Sequence, residues 1–356
     1  MSDELKDNLY SVQRSAFLVH RFLLEIDLVM KNFLIAVVLL ASCASPMPSQ
    51  SPKSVGAKTV AATEALSSKT LDASQLLEDV RILSADAMEG RGMGTKGGAM
   101  ARAFIVRRFA DLGLKTFGDS YEKPFDVNGA AAKIRAANVV GYVAGSKRPE
   151  RFIVITAHYD HLGVRDRQIY NGADDNASGV AVLLQLAAHF ARSRPDNSIL
   201  FAALDGEEAG LLGARSLVKW LADEKRSVAL DVNMDMVSHS DSGELYASGA
   251  YQTPALAPPL KQLAARAPVH LLLGHDRPEQ GHDDWTNQSD QYAFYKAGIP
   301  FIYFGVEDHK DYHKPTDDFE TITKPFFVHA AETILDAVET FDSDLDSAVG
   351  ATGRKS

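Results

Sequence analysis

Apolar residues in the middle of the chain follow two patterns that alternate along the sequence. Short continuous apolar runs predict buried strands. Strands are expected at residues 138–143, 152–157, 199–204, 228–234 and 300–304. Apolar positions spaced three and four residues apart predict helices. Helices are expected at residues 97–112, 178–192, 211–223, 254–267, 290–297 and 324–341.

Strands and helices that alternate in this way indicate an α/β domain. Several of the predicted strands are apolar on both faces, which is typical of central strands covered by helices on both sides. We therefore predict one three-layer α-β-α sandwich over residues 70–341, built around a central, mixed, largely parallel and twisted sheet.

An apolar run near the N-terminus leads into the only cysteine of the chain, Cys43. The run begins at Phe33, follows the basic Lys31 and ends in small residues, which is the pattern of a signal segment with its processing site. It resembles the lipobox of bacterial lipoproteins, in which the cysteine is lipidated and begins the mature chain. The resemblance implies an exported lipoprotein that is anchored in a membrane through Cys43 and faces the periplasm or the cell exterior.

The two ends of the chain are therefore predicted to lie outside the folded domain. Residues 1–42 are expected to be an upstream extension and a signal segment, with Met30 as the true start. An uncleaved membrane helix is the alternative, but the apolar run is far shorter than the roughly 20 residues that span a bilayer. Residues 43–69 have the composition of a flexible tether, and the small, polar residues 342–356 predict a disordered tail.

Composition limits the chemistry that the domain can perform. The 37 basic and 47 acidic residues give a formal net charge of −10, which argues against a nucleic-acid partner because phosphate contacts require clustered lysine and arginine. With one cysteine, the chain can form neither an internal disulfide nor a thiolate cluster. Any metal ion must be held by histidine, aspartate and glutamate. The sequence indicates no oligomeric state.

Groups able to bind a metal follow four of the predicted strands, at the point where each strand ends. They are His158 with Asp160, Glu207 with Glu208, Asp235, and a loop that carries His309 and His313. Because ligands of open α/β sheets bind beyond the carboxyl ends of the strands, we expect these side chains to converge on one crevice. Asp174 and Asp175, in the loop before a predicted helix, would face the same opening.

Each of these groups alone has an ordinary structural explanation. The Asp-Asp-Asn run that ends at Asn176 is typical of a turn. The pair of glutamates is typical of the acidic first turn of a helix, and a single histidine at a strand end is often only a hydrogen-bonding residue. Their order after successive strands makes a shared metal site the better interpretation.

The sequence resembles the dizinc aminopeptidases that include aminopeptidase Y and the secreted bacterial leucyl aminopeptidases. The matching segments are residues 83–91, 156–163, 171–179, 201–213, 233–236, 289–300 and 311–313. The resemblance implies two zinc ions, which manganese or cobalt can replace. The implied ligands are His158 and Asp235 for one ion, Glu208 and His313 for the other, and Asp175 as the bridge.

The same resemblance implies roles for other residues of the site. Glu207 is expected to be the general base, and Asp160 the carboxylate that orients His158. A cis peptide is expected after Asp175. Two ions roughly 3.5 to 4 Å apart would acidify a bridging water and polarise the scissile carbonyl, and Tyr312, next to a ligand, is either an oxyanion donor or an apolar wall residue.

Three features depart from the pattern of the family or extend beyond it. Many relatives have a histidine where this chain has Gln291, so the function of that histidine is absent or replaced. His161 and Asp205 lie within matching motifs, and we expect them to be structural. The polar loop at residues 274–288 is a candidate rim for the substrate.

These observations predict a metallo-aminopeptidase that acts on peptide substrates. Relatives also include carboxypeptidases and glutaminyl cyclases, which leaves another reaction on the same scaffold as an alternative. Glu307, Asp308 and Asp311 favour recognition of a free amine, whereas a terminal carboxylate would require arginine or lysine. A domain without catalysis, like that of the transferrin receptor, is disfavoured because all five ligand positions and Glu207 are present.

Overall fold

A computed structural model describes residue 68, residues 70–128 and residues 133–349. The predicted signal segment, Cys43 and almost all of the predicted tether lie outside these residues. Among the described residues, none of the helices combines the length and the apolar character needed to cross a membrane.

In this part of the chain one mixed sheet of eight strands forms the centre of the domain. Its strands are β1 (Glu122–Asn128), β2 (Lys133–Val143), β3 (Arg148–His158), β6 (Asn197–Leu204), β7 (Ser227–Met234), β8 (Glu244–Ser248), β9 (His270–Leu273) and β10 (Phe301–Gly305). A separate hairpin contains β4 (Gly163–Arg165) and β5 (Gln168–Tyr170). The order across the sheet is β1-β2-β6-β3-β7-β10-β8-β9.

The four central strands β6, β3, β7 and β10 run parallel to one another. Consecutive residues of these strands are buried on opposite faces of the sheet. Ile153 and Ile155 of β3 pack in one core cluster, whereas Phe152 and Val154 pack in the other. Their carboxyl ends therefore meet at one edge of a sheet that is covered on both sides.

Helices cover the two faces of the sheet. They are α1 (Ala73–Leu83), α2 (Lys96–Asp111), α3 (Gly179–Arg192), α4 (Leu212–Asp223), α5 (Ala257–Ala264), α6 (Gln291–Lys296), α7 (Lys324–Ser343) and α8 (Leu345–Val349). Apolar residues of α4 and α6 belong to one core cluster, and those of the other helices to the second. The predicted three-layer α/β architecture is confirmed.

The elements missed by sequence reasoning are short or lie at the periphery. Strand β1 alternates between exposed and half-buried positions and contains Pro124, so its pattern lacks a continuous apolar run. Strands β8 and β9 have only five and four residues. Helix α1 lies where the composition of a tether gives way to the domain.

The prediction of a disordered tail is wrong for residues 342–349. Helix α7 continues to Ser343, and α8 buries Leu345, Ala348 and Val349. The carboxylate of Asp342 accepts the backbone N–H groups of Asp196 and Asn197 at 2.7 Å each. A small and polar sequence therefore folds here because its charged groups have partners on distant segments.

Candidate metal centre

The candidate ligands lie where the parallel central strands end. His158 is the last residue of β3, and Asp235 directly follows β7. The pairing of β7 with β10 continues past the end of β7, where the N–H of Asp235 donates to the carbonyl of Phe304 at 3.1 Å. Glu208 lies in the turn between β6 and α4, and His313 lies in the loop after β10. One edge of the sheet thus carries residues from four separate segments.

The loop with Asp175 reaches this edge from the start of α3. The peptide between Asp175 and Asn176 is cis, as the resemblance implied. The Asn176 side chain donates to the carbonyl of Met234 at 2.9 Å and accepts the N–H of Gly179 at 2.9 Å. The carboxylate of Asp317 accepts the N–H groups of Asp174 and Asp175 at 2.9 and 3.1 Å. These bonds hold the loop at the end of β7.

The two oxygens of Asp175 face two different groups of ligands. Its Oδ1 lies 3.4 Å from Nε2 of His158, which is itself 3.1 Å from Oδ1 of Asp235. Its Oδ2 lies 3.1 Å from Nε2 of His313, which is 3.6 Å from Oε2 of Glu208. Ligand atoms that share one tetrahedral ion at bonds of 2.0 to 2.1 Å lie about 3.3 Å apart. The five candidate ligands are therefore spaced as two groups joined by Asp175.

His161 belongs to the second group, although we expected it to be structural. It is fully buried, and its Nδ1 lies 2.8 Å from Oε1 of Glu208 and 3.6 Å from Oδ2 of Asp175. Neither His161 Nδ1 nor Glu208 Oε1 has a partner with the angles of a hydrogen bond. Orphaned donor atoms this close together indicate a site built for a cation. The sequence signal that could have identified His161 as a candidate ligand is its position directly after Asp160, in the turn beyond β3.

The charges of the site also fit a positive ion. In the described part of the chain no lysine or arginine lies within ion-pair distance of the carboxylates of Asp175, Glu208 and Asp235. Burial opposes the charged imidazole of His313, but hydrogen bonds to Asp175 and Glu208 raise its pKa to about 10. Burial raises the pKa of Glu208, yet its histidine neighbours outweigh this and hold it well below its usual range. A set of ligands that combines imidazole nitrogens with carboxylate oxygens suits zinc.

Glu207 points into the site without contacting the candidate ligand histidines at ion-pair distance. Its backbone N–H donates to Oδ1 of Asp160 at 3.1 Å, which fixes the turn. Burial, reinforced by nearby carboxylates, raises the pKa of Glu207 well above its usual range. Glu207 is therefore a carboxyl group suited to accept and release a proton.

The expected role of the Asp160 carboxylate is only partly reproduced by the geometry. Nδ1 of His158 contacts the main-chain oxygen of Asp160 at 3.1 Å, whereas the carboxylate Oδ1 is 3.7 Å away. The imidazole is thus oriented mainly by a backbone carbonyl. The carboxylate itself is directed towards the N–H of Glu207.

A cleft of about 450 Å³ opens over these residues. Its lining includes four aromatic residues, Trp285, Tyr292, Tyr303 and Tyr312, among polar and charged ones. The ring of Tyr312 stacks on His313 with centroids 4.0 Å apart. Burial and neighbouring carboxylates raise the pKa of Tyr312 above its usual value, so its hydroxyl keeps the proton. It can therefore donate a hydrogen bond into the cleft.

The rim loop contributes to this cleft in part, and Gln291 holds it. Of residues 274–288, Trp285, Asn287 and Gln288 line the opening. The Gln291 amide donates to the carbonyl of Trp285 at 2.7 Å and accepts from the Asn233 side chain at 2.8 Å. At the position of the family histidine, Gln291 thus ties the rim to strand β7.

His309 and Asp205 lie near the site but have other partners. Nε2 of His309 contacts Oδ2 of Asp174 at 3.1 Å, and its ring stacks on His239 with centroids 3.9 Å apart. His309 therefore lies outside the two groups of candidate ligands that share Asp175. Asp205 accepts the backbone N–H of Ala137 at 3.1 Å and joins β6 to β2.

Arg91 lies fully buried behind the ligand loops. Its guanidinium donates to the carbonyls of Leu83, Tyr159, Asn171 and Gly172 at 2.5 to 2.8 Å, and to that of Asp175 at 3.5 Å. Burial lowers the pKa of Arg91 to about 10, so the group stays charged at neutral pH. One side chain therefore holds together the loops that carry His158 and Asp175.

Comparison with known proteins identifies the family. The model of the family described as peptidase family M28 matches residues 138–338, which is 201 of the 356 residues. The chain belongs to peptidase family M28. A probable zinc metalloprotease of Leptosphaeria maculans is 38% identical over 147 residues, which cover 40% of this chain and 34% of that protein. The chain thus matches about a third of the length of this relative.

Solved structures share the fold of this M28 chain. LapB from Legionella pneumophila has a TM-score of 0.62 and 20% identity, covering 82% of this chain and 76% of its own. A zinc aminopeptidase from Bacillus subtilis has a TM-score of 0.61 and 18% identity, covering 78% and 96%. A glutaminyl cyclase from Fimbriiglobus ruber has a TM-score of 0.61 and 18% identity, covering 77% and 97%. At these identities the likeness shows the architecture alone.

Proposed function

We propose that this M28 chain is a zinc-dependent metallopeptidase that removes amino acids from the N-termini of peptides at a site for two metal ions. The observation that carries the proposal is the position of Asp175, whose two oxygens face two separate groups of imidazole and carboxylate donors. The names of the relative from Leptosphaeria maculans and the neighbour from Bacillus subtilis support zinc and aminopeptidase activity.

The proposed reaction assigns one task to each residue around the scissile bond. His158, Asp175, Glu208, Asp235 and His313 would hold the ions, with His161 beside the second group. The ions would supply Lewis-acid polarisation of the scissile carbonyl and acidification of water. Glu207 accepts the proton of the attacking water and passes it to the leaving amine. Tyr312 donates a hydrogen bond to the oxyanion.

The acids near His313 differ in their access to the substrate. Glu307 pairs with His275 at 3.0 Å, and Asp311 is buried and accepts a hydrogen bond from Thr316 at 2.7 Å. Asp308 is exposed and lines the cleft. We therefore assign the recognition of the free amine to Asp308, which supports an aminopeptidase.

The proposed location of the enzyme rests on the sequence before the domain. The signal pattern that ends at Cys43 supports export and a lipid anchor, with the domain facing the periplasm or the cell exterior. Peptides are the proposed partners, and the acidic net charge of −10 argues against nucleic acid.

A panel of substrates tests the proposed reaction. The purified protein with added Zn²⁺ should hydrolyse leucyl anilides and short peptides with a free amine, and should spare N-acetylated versions of the same peptides. Equal rates on acetylated and free peptides would contradict the assignment of the amine to Asp308. Cyclisation of N-terminal glutamine without hydrolysis would favour a glutaminyl cyclase.

Replacing Asp175 by Ala should remove at least one of two bound zinc ions, because both groups of ligands lose a donor. Metal analysis after dialysis measures this loss, and we expect hydrolysis to fall on the order of a thousandfold. Asp241→Ala is the matched control, because Asp241 is exposed and lies on a different cavity. If Asp175→Ala retains two zinc ions, Asp175 does not bridge them.

A further inference from the structure

Arg215 brings a positive charge to a cleft whose floor is acidic. It lies in the first turns of α4, is exposed, and lines the same cleft as Glu207 and Glu208. Among the described residues it has neither a hydrogen bond nor an ion pair with another side chain. It is the one arginine or lysine among the residues that line this cleft. An uncompensated guanidinium beside a substrate site is available to an anionic group of the ligand.

The order of the strands places Arg215 and Asp308 on different sides of the ligands. Arg215 follows β6, whereas Asp308 follows β10, and strands β3 and β7 lie between them. Three steps across a sheet amount to about 14 Å, since neighbouring strands lie 4.7 to 4.9 Å apart. His158 and Asp235, at the ends of β3 and β7, lie between the two charges. The cleft therefore has a cationic side, a floor of candidate ligands and an anionic side.

Polar side chains from the rim line the same cleft as Arg215. Asn287 and Gln288 of the rim and Tyr292 of α6 line the same opening. The Gln288 amide is occupied by the carbonyls of His282 and Asp284 at 2.6 and 3.3 Å, which holds this part of the rim in place. A carboxylate bound in the cleft could therefore be met by the guanidinium of Arg215 and by polar groups of the lining.

We infer that Arg215 binds a carboxylate on the leaving-group side of the scissile bond, so that the preferred substrates are short peptides with a free carboxyl end or an acidic residue after the cleaved bond. This inference rests on the proposed function. Asp308 would bind the amine on one side, and Arg215 the carboxylate on the other. An extended chain covers about 3.3 to 3.6 Å per residue. Because the side chains of Asp308 and Arg215 reach inward and shorten the distance that the substrate must span, peptides of about two to four residues would fit between them.

The test compares matched substrates that differ only in one negative charge. Leucyl-alanine against leucyl-alaninamide varies the terminal carboxylate. Comparing leucyl-aspartic acid α-amide with leucyl-asparagine α-amide varies the charge of the side chain after the cleaved bond, while the C-terminus is blocked in both. The measured quantity is the ratio of kcat/KM within each pair, for wild type, Arg215→Gln and Lys219→Gln. Lys219 is the control because it lies on the same helix, is 75% exposed and pairs with Asp223.

The wild type should prefer the charged member of at least one pair by about tenfold, or about 1.4 kcal/mol, mainly through KM, because Arg215 would make a charge-assisted hydrogen bond to it. Arg215→Gln should bring that ratio close to one, and Lys219→Gln should retain it. High salt should reduce the preference of the wild type. The pair whose preference is lost in Arg215→Gln shows whether Arg215 binds a terminal carboxylate or an acidic side chain.

Two results would overturn the role of Arg215 and leave the proposed function intact. One is a wild type that hydrolyses both members of each pair equally. The other is an Arg215→Gln variant that keeps the full preference. A zinc-loaded wild type that hydrolyses none of the four compounds would instead contradict the proposed function itself.

Discussion

Glu207→Gln is expected to lower kcat by about 10²- to 10⁴-fold while the protein keeps its full content of zinc. The amide is nearly isosteric with the carboxylate but cannot accept the proton of the attacking water. Glu207 makes no ion-pair contact with the candidate ligand histidines in the described part of the chain, so its replacement should not weaken metal binding. Metal analysis and steady-state rates on a leucyl anilide measure the two effects separately.

The neighbouring residue provides the matched control. Glu208→Gln changes the same chemical group one position along the turn, but Glu208 lies 3.6 Å from Nε2 of His313 and 2.8 Å from Nδ1 of His161. We expect this variant to lose metal, with partial recovery of activity at high Zn²⁺. Wild-type turnover by Glu207→Gln, or loss of metal from it, would contradict the division of tasks between the two glutamates.

Arg91→Met is expected to destabilise the fold by about 3 to 5 kcal/mol. Methionine fills much of the volume but leaves the carbonyls of Tyr159, Asn171 and Gly172 buried without a donor, and each such group is costly. These carbonyls belong to the loops that carry His158 and Asp175, so zinc affinity should fall as well. Urea denaturation and competition with a chelator measure the two losses.

Replacing an exposed arginine provides the control for the stability change of Arg91→Met, because it removes only an ordinary surface ion pair. Arg81 is 55% exposed and pairs with Glu78 on helix α1, so Arg81→Met should change stability by less than about 1 kcal/mol. Arg91→Lys keeps the charge but has fewer directed donors, and we expect an intermediate loss. Equal stability of the Arg91→Met and Arg81→Met variants would show that the buried hydrogen bonds contribute little.

The predictable parts of the fold are those with strong local patterns. Strands β3 and β6 are continuous apolar runs because helices cover both faces of the sheet, and such runs are visible without knowledge of their neighbours. Strand β8 has five residues and pairs with β10 and β9, so its existence depends on its partners. The tail after Phe341 was misjudged for the same reason, since its stabilising contacts lie far away in the sequence.

The candidate site divides in a similar way. His158, Asp235 and the two glutamates could be selected because each follows an apolar run, and parallel strands bring such positions to one edge. His161 was underestimated because one residue in a turn can point towards the site or away from it. The contact between His158 and the Asp160 carbonyl, in place of its carboxylate, depends on the path of the backbone after β3. Arg91 was part of a matching motif without any visible task.

The sequence by itself determined which segments form the central strands, which residue types can hold a cation, and that these residues follow successive strands. Such properties depend on the local order of apolar and polar residues, which is written directly in the chain. Only the tertiary structure decided which oxygen of Asp175 faces which histidine, that Arg91 holds two loops, and that Arg215 and Asp308 flank the cleft from different sides. Those relations join residues tens to hundreds of positions apart, and they exist only once the strands have found their order in the sheet.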